Sequence, residues 1–353
     1  MHFDLTDEQK ALREMLAQFF HERLGGARAI EAVRETALDR GLAAEIGGLE
    51  LSGIMVPAAL GGSGLDLLSL AVVAETTGRY CVPAPIVASA LAAWLVASWG
   101  TAAQRDRWLA GLMSGEIAAA FALQEAAGWL PESWTLQGDR IDGSKRNVEW
   151  AGDAGLLVVG LGGGTLALVD AAAEEVSVAP VDSLDRSRPM GEVTFRHAVA
   201  DPLPLAATAP LIDAMLVLYA ADAIGAASAI QALAVDYARE RRQFGQLIGA
   251  FQALQHQLAD MSVEIEPARP LVWYAAHAWD SGRADARRTA ALVKAHAGDI
   301  AVAVARGAIE AHGGIGYTWE YPAHLFLKRT MHDRAAMGGV SFHRERAAAL
   351  AGW

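Results

Sequence analysis

The chain has 353 residues, 53% apolar and 20% charged, which is an ordinary globular composition with enough apolar mass for a sizeable core and about two domains. Its net charge, 29 − 41 = −12, excludes non-specific nucleic-acid binding, which needs a basic surface to neutralise phosphates. Cys81 is the only cysteine, so no disulfide can form within the chain, and a reducing compartment fits.

The opening segment, MHFDLTDEQKALREML, reads as a charged helix and not as a secretory signal. Thr6 and Gln9 form a capping-box pattern, Leu12, Met15, Leu16 and Phe19 predict the apolar stripe that follows, and Gly25-Gly26 ends the helix. The glycines between Met55 and Gly64 lack a preceding strand and a following Lys-Ser/Thr, so they read as a turn and not as a phosphate cradle. Leu65 to Tyr80 predicts another helix, and Pro83 and Pro85 break the chain after it. The apolar stretch Ile86 to Trp99 is too short to span a bilayer.

After about residue 117 the period changes to that of strands. Trp134 to Asp139 and Arg140 to Gly143 read as strands joined by tight turns. Leu156 to Val159 and Thr165 to Val169 flank the run Gly160-Leu-Gly-Gly-Gly164, which reads as a hairpin loop because a strand follows it, where a nucleotide loop would need a helix. Glu175 to Ala179 and Glu192 to Phe195 continue the β block.

From about residue 208 the chain is helical and Ala-rich. Pro210 to Tyr237 is long and apolar, but Asp213 and Asp222 interrupt it, so a buried bundle helix explains it better than a membrane span, and a soluble cytoplasmic protein is expected. In Tyr237 to Met261 a charged helix breaks at Phe244-Gly245 and restarts with Phe251, Leu254, Leu258 and Met261 on one face. Arg239, Arg241 and Arg242 beside an aromatic and a glycine suit a flat anionic ligand such as a dinucleotide, and the same residues also read as a solvated helix end. Pro267 and Pro270 predict a kink in the second helix, which Ser281-Gly282 closes. Arg288 to Ala311 predicts the next helix. His256, His277, His296, His312, His324 and His332 show no metal-ligand spacing.

Taken together, FDLTDEQKALRE, VPAALGGSGLDLLSLAVVAETTGR, SGEIAAAFALQE, DGSKRNVEWAGDAGLLVV, YARERRQFGQLIGAFQ and EAHGGIGYTWEYPAHLFLKR make the whole chain resemble the acyl-CoA dehydrogenase family. The resemblance implies an α+β multidomain fold: an N-terminal helical domain (1–117), a middle β-barrel-like domain (118–207) and a C-terminal four-helix bundle (208–353). It implies FAD as cofactor, an acyl-CoA thioester as substrate, electron-transfer flavoprotein as electron acceptor, and a dimer or tetramer of like or homologous chains. By resemblance, Arg241, Phe244 and Gln252 contact a neighbouring subunit's FAD, and Glu310, Gly313 and Gly314 sit at the second FAD-contacting string. The family usually has Gln where Glu310 stands, and a carboxylate accepts but cannot donate. The flavin ring is expected against Phe121 to Glu125 and Asn147 to Glu149, with Gln124 where a Thr or Ser is common and Asn147 and Glu149 in place of Trp and Thr.

Removing the proton α to a thioester needs a positioned carboxylate base. Aligned by resemblance, the two family positions for that Glu fall on Met337 and near Met215, and a thioether takes no proton at neutral pH. Asp333 and Asp213 lie close by in sequence and read as solvated or capping residues. The expectation is a subunit lacking the base that completes a partner's FAD site, as in α2β2 members that act on bulky acyl-CoA thioesters, including sterol side-chain intermediates. A self-sufficient dehydrogenase with a displaced base (Asp333 or Glu149), a flavin-dependent monooxygenase on the same scaffold, and a purely structural assembly protein are the alternatives.

Overall fold

The computed structural model describes residues 4–34 and 38–353, so the first three residues of the opening helical segment lie outside them. The described chain begins with helices α1 (Asp7–Leu24), α2 (Ala27–Ala32), α3 (Arg40–Gly47), α4 (Leu67–Arg79), α5 (Ile86–Trp99) and α6 (Ala102–Ser114). Strands β1 (Ala119–Ala122), β2 (Arg140–Glu149), β3 (Leu156–Leu161), β4 (Thr165–Asp170), β5 (Val176–Val181), β6 (Met190–Val199) and β7 (Asp201–Pro202) follow. Helix α7 (Thr208–Glu240) then leads through a two-residue-stranded hairpin, β8 (Arg242–Gln243) and β9 (Gln246–Leu247), into α8 (Gln252–Asp280). The chain ends with α9 (Ala286–His312), α10 (Ala323–Ala335) and α11 (Val340–Leu350).

Two compact units share the described chain. One takes in residues up to 35, 67–82 and 213–353; the other takes in 36–66 and 83–212. The N-terminal helices are therefore divided between them, because α1 packs on α4 and α4 on α8, whereas α5 packs on α6 and β1.

In the second unit, β1-β3-β4-β7 form one sheet and β2-β6-β5 another. β1 runs parallel to β3, and β3 and β4 pair antiparallel around the glycine run, where Gly163 takes φ 77°. Both central strands are almost wholly buried, which explains their continuous apolar runs LLVV and LALV. One core joins the sheets, with Ala120, Ile141, Val148, Leu157, Val159 and Phe195 among its members. Trp134 to Asp139 is not the strand expected from sequence. The Trp134 indole instead lies over Gly160, where an added Cβ would come 2.5 Å from the ring, and Trp134 Nε1 donates to the Trp129 carbonyl at 3.0 Å. Burying the indole there takes the place of a backbone ladder.

In the first unit, the Thr6–Gln9 capping box forms as expected. The apolar stripe of α1 differs: Leu16, Phe20 and Leu24 are buried at a spacing of four, while Met15 is 43% exposed. Helix α8 runs unbroken through Pro267 and Pro270, and α9 packs against α8, α10 and α11. The membrane-length apolar segment within Leu205–Glu240 is 94% buried, as a bundle helix should be. Helices α4 and α7 approach so closely that a Cβ on Gly225 would lie 1.8 Å from the Glu75 carbonyl oxygen. Backbone cannot yield as a side chain can, so Gly225→Ala is expected to destabilise by about 1–3 kcal/mol, measured by urea unfolding. An unchanged midpoint would mean that the two helices can slide apart.

Candidate functional site

The position aligned with the family base lies in the turn between α10 and α11. Helix α10 stops at Ala335, and Met337 and Gly338 follow with φ 57° and 99°. A left-handed methionine is uncommon and needs the surroundings to hold it. Three groups do so. His343 Nε2–H donates to the Met337 carbonyl at 2.8 Å, and Lys294 Nζ donates to the carbonyls of Arg334 (3.2 Å) and Gly338 (3.3 Å). Lys294 is 2% exposed, and burial lowers its pKa to about 8. Burial and the Lys294 charge push His343 down to about 3, so its imidazole is neutral. Lys294 is the one lysine in the Ala-rich run AALVKAHAGDIAVAVA, but His296 and Asp299 share that run, so the sequence gives only a weak signal that it is buried.

Asp213 and Asp333 are not the solvated or capping residues expected from sequence: they are 3% and 1% exposed. Asp213 Oδ1 accepts from Arg346 at 2.9 Å, and Arg287 lies 3.4 Å from Oδ2. Burial raises the Asp213 pKa, and the two arginines offset only part of that. Asp333 adds the negative charge that favours protonation of Lys294. Met215 is 6% exposed on α7, and residues two apart on a helix do not face one another, so Asp213 does not stand in for it.

The predicted FAD-contacting residues behave differently. Arg241 and Gln252 are exposed, and neither side chain has a partner among the described residues. Phe244 is 91% exposed at φ 52°, held out by the β8–β9 hairpin and set edge-on to Phe251 with centroids 6.1 Å apart. Glu310 is exposed and likewise without a partner among the described residues. At Gly313 (φ 67°) and Gly314 an added Cβ would meet nothing within 4 Å, so backbone is open there to a close approach.

In the other unit, Gln124 forms an isolated bridge to Arg146. Asn147 is exposed at φ 51°, where the β2–β6 register shifts between Lys145 and Val148. Glu149 is half-buried, and its carboxylate lies 3.8 Å from Arg188 Nε, a neighbour distant in sequence. Beneath this edge Glu125 accepts from Lys145 Nζ at 2.6 Å and from the Thr135 amide and hydroxyl. Burial works against the Glu125 charge, but Lys145 and Thr135 outweigh it and hold the carboxyl below its ordinary range. Among the described residues no group of three metal-ligating side chains converges.

The N-terminal domain of acyl-CoA dehydrogenases matches residues 6–116, and the C-terminal domain matches residues 212–350. IpdE2 of Mycobacterium tuberculosis, an acyl-CoA dehydrogenase, is 31% identical over 331 residues, covering 92% of this chain and 91% of its own. The chain belongs to the acyl-CoA dehydrogenase family. FadE34 of the same organism is 32% identical over 98% of this chain, which spans only 48% of that longer relative. A solved variant of the Tcur3481-Tcur3483 steroid ACAD superposes with TM-score 0.90 at 32% identity, covering 98% of each chain. The glutaryl-coenzyme A dehydrogenase glutaryl-CoA complex gives TM-score 0.90 at 25% identity, over 99% of this chain and 96% of its own. Acyl-CoA dehydrogenases are oxidoreductases that act on the CH–CH bond of an acyl-CoA, with FAD as cofactor. The residues present fit that group: Arg241 and Gln252 are unengaged, Phe244 projects, and the Gly313–Gly314 backbone is uncovered. Glu310 is the one ill-matched member, since a carboxylate accepts but cannot donate.

Proposed function

We propose that this chain is a base-less subunit of a heteromeric FAD-dependent acyl-CoA dehydrogenase and completes its partner's FAD site. What supports the reading is that resemblance puts the two family base positions on Met337 and near Met215, with the nearest carboxylates in sequence buried beside arginines or lysine. Asp213 is ion-paired to Arg346 and Arg287, a structural engagement of its carboxylate even though burial raises its pKa.

The division of labour follows from the residues. Arg241, Phe244 and Gln252 would hold the anionic and aromatic parts of FAD on the adjoining chain. Gly313 and Gly314 would let backbone come close, and Gln124, Asn147 and Glu149 would line the flavin edge of this chain's own β strands. FAD, when bound, supplies the hydride acceptor. Arg188 beside Glu149 limits the repulsion that a bare carboxylate would exert on charge building at that edge. The three-part division at 1–117, 118–207 and 208–353, a cytoplasmic dimer or tetramer, and electron-transfer flavoprotein as acceptor belong to the same proposal. A bulky, steroid-type acyl-CoA is the substrate class favoured by the likeness to the steroid ACAD.

The test is the visible spectrum of the purified chain before and after anaerobic addition of mixed acyl-CoA thioesters. A lone chain without a flavin band, and without turnover even as Met337→Glu, is the expected result. A stoichiometric flavin band that bleaches on substrate would sink the proposal and point to a displaced base, which Asp333→Asn and Glu149→Gln would then locate.

A further inference from the structure

The two segments that meet the neighbour's cofactor are 72 residues apart in sequence, from Arg241 to Gly313, yet a continuous physical link joins them. Tyr237 sits in the last turn of α7, and its carbonyl accepts from the Arg241 amide at 2.9 Å. The Arg241 carbonyl in turn accepts from the Ile248 amide at 2.8 Å, which closes the hairpin back on the helix end. The Tyr237 ring lies 5.0 Å from the His312 imidazole, at 32° between planes, and His312 directly precedes Gly313. Tyr321 closes the cluster, 5.0 Å from His312 and 6.1 Å from Tyr237. His312 is 4% exposed, and its Nδ1–H donates to the Ala308 carbonyl at 2.7 Å, which fixes the ring plane. Aromatic rings at these separations add stabilisation beyond their buried area, and a locked imidazole between two phenols leaves little freedom to either segment.

We propose that His312 is a positioning residue: packed against both Tyr237 and Tyr321 in a three-ring cluster, it couples the Arg241–Phe244 hairpin to the Gly313–Gly314 turn, so that both act as one platform for the neighbour's FAD. The proposal rests on the reading of those segments as FAD contacts. It explains why a neutral aromatic histidine is buried beside two glycines whose own surroundings are open.

Hydrogen exchange on His312→Ala, His312→Phe and wild type decides the coupling. His312→Ala is expected to speed amide exchange both in 241–248 and in 313–317, and His312→Phe, which keeps a planar ring, to restore both. Faster exchange confined to 313–317 overturns the coupling. Tyr237→Ala supplies the same test from the other side if the His312 variants fold poorly, and Tyr237→Phe is the silent control. Titration of FAD into the native assembly reads the consequence: about tenfold weaker binding for His312→Ala, recovered by His312→Phe, with the loss carried by FAD affinity and not by the unfolding midpoint. Unchanged FAD affinity in a variant whose two segments have loosened overturns the positioning role. Arg241→Ala with wild-type FAD affinity would sink the FAD reading itself and leave the exchange result to stand alone.

Discussion

Replacing Arg329 by methionine is expected to cost about 3–5 kcal/mol of stability, the range seen when one partner of a buried ion pair is removed. Arg329 and Asp222 are each 3% exposed and meet twice, Nε to Oδ1 at 2.8 Å and Nη2 to Oδ2 at 2.7 Å. Arg329 also donates to the Val82 carbonyl at 3.3 Å, and the Thr77 hydroxyl lies 3.3 Å from Asp222 Oδ2. The pair therefore ties α4, α7 and α10 together, and methionine would leave the Asp222 carboxylate in the interior without its guanidinium. Two parallel hydrogen bonds between planar groups are the strong geometry, and lysine could not reproduce them. Equilibrium unfolding of Arg329→Met, Asp222→Leu and the double variant measures the effect. The double variant should lose clearly less than the sum of the singles, because it strands no charge. Simple additivity would show that the pair contributes nothing as a pair.

Lys294 should give the chain a distinctive alkaline stability profile. Its pKa is about 8 in the folded protein against 10.5 in an open chain, so the folded state binds fewer protons than the unfolded state between those values. Stability from this group therefore rises with pH across that window, by about 3 kcal/mol at 1.36 kcal/mol per pKa unit, and below pH 8 the burial penalty is present in full. Lys294→Met removes the titration and leaves the Arg334 and Gly338 carbonyls without their donor. From pH 7.5 to 10.5 the unfolding free energy of wild type should rise relative to that of the variant by roughly that amount, since the remaining lysines and tyrosines titrate alike in both. Parallel profiles would contradict it. In the same variant, loss of the ammonium should free the Met337 turn, which it pins together with His343.

Much of this protein can be read along the chain. The capping box at Thr6, the hairpin across Gly160 to Gly164 and the order helix, strand, helix are local matters, set by periodicity, turn residues and caps within a few positions, whereas the helix expected to break at Phe244-Gly245 already ends at Glu240. The family strings carry the assignment to the acyl-CoA dehydrogenase family. Arg241, Phe244 and Gln252 are exposed. What only the tertiary structure decided is which polar groups are buried and what they meet. Asp213, Asp333, Lys294, Lys145 and Arg329 look like surface charges in one dimension, because a charge on a helix or strand is ordinarily solvated. Asp213, Lys294, Lys145 and Arg329 are instead satisfied by partners from distant elements, as Asp222 is 107 positions from Arg329 and Lys294 is 44 from Gly338. No period or spacing encodes such pairings. They exist only once packing has brought the helices together and the low dielectric between them has made an unpaired charge too costly to keep.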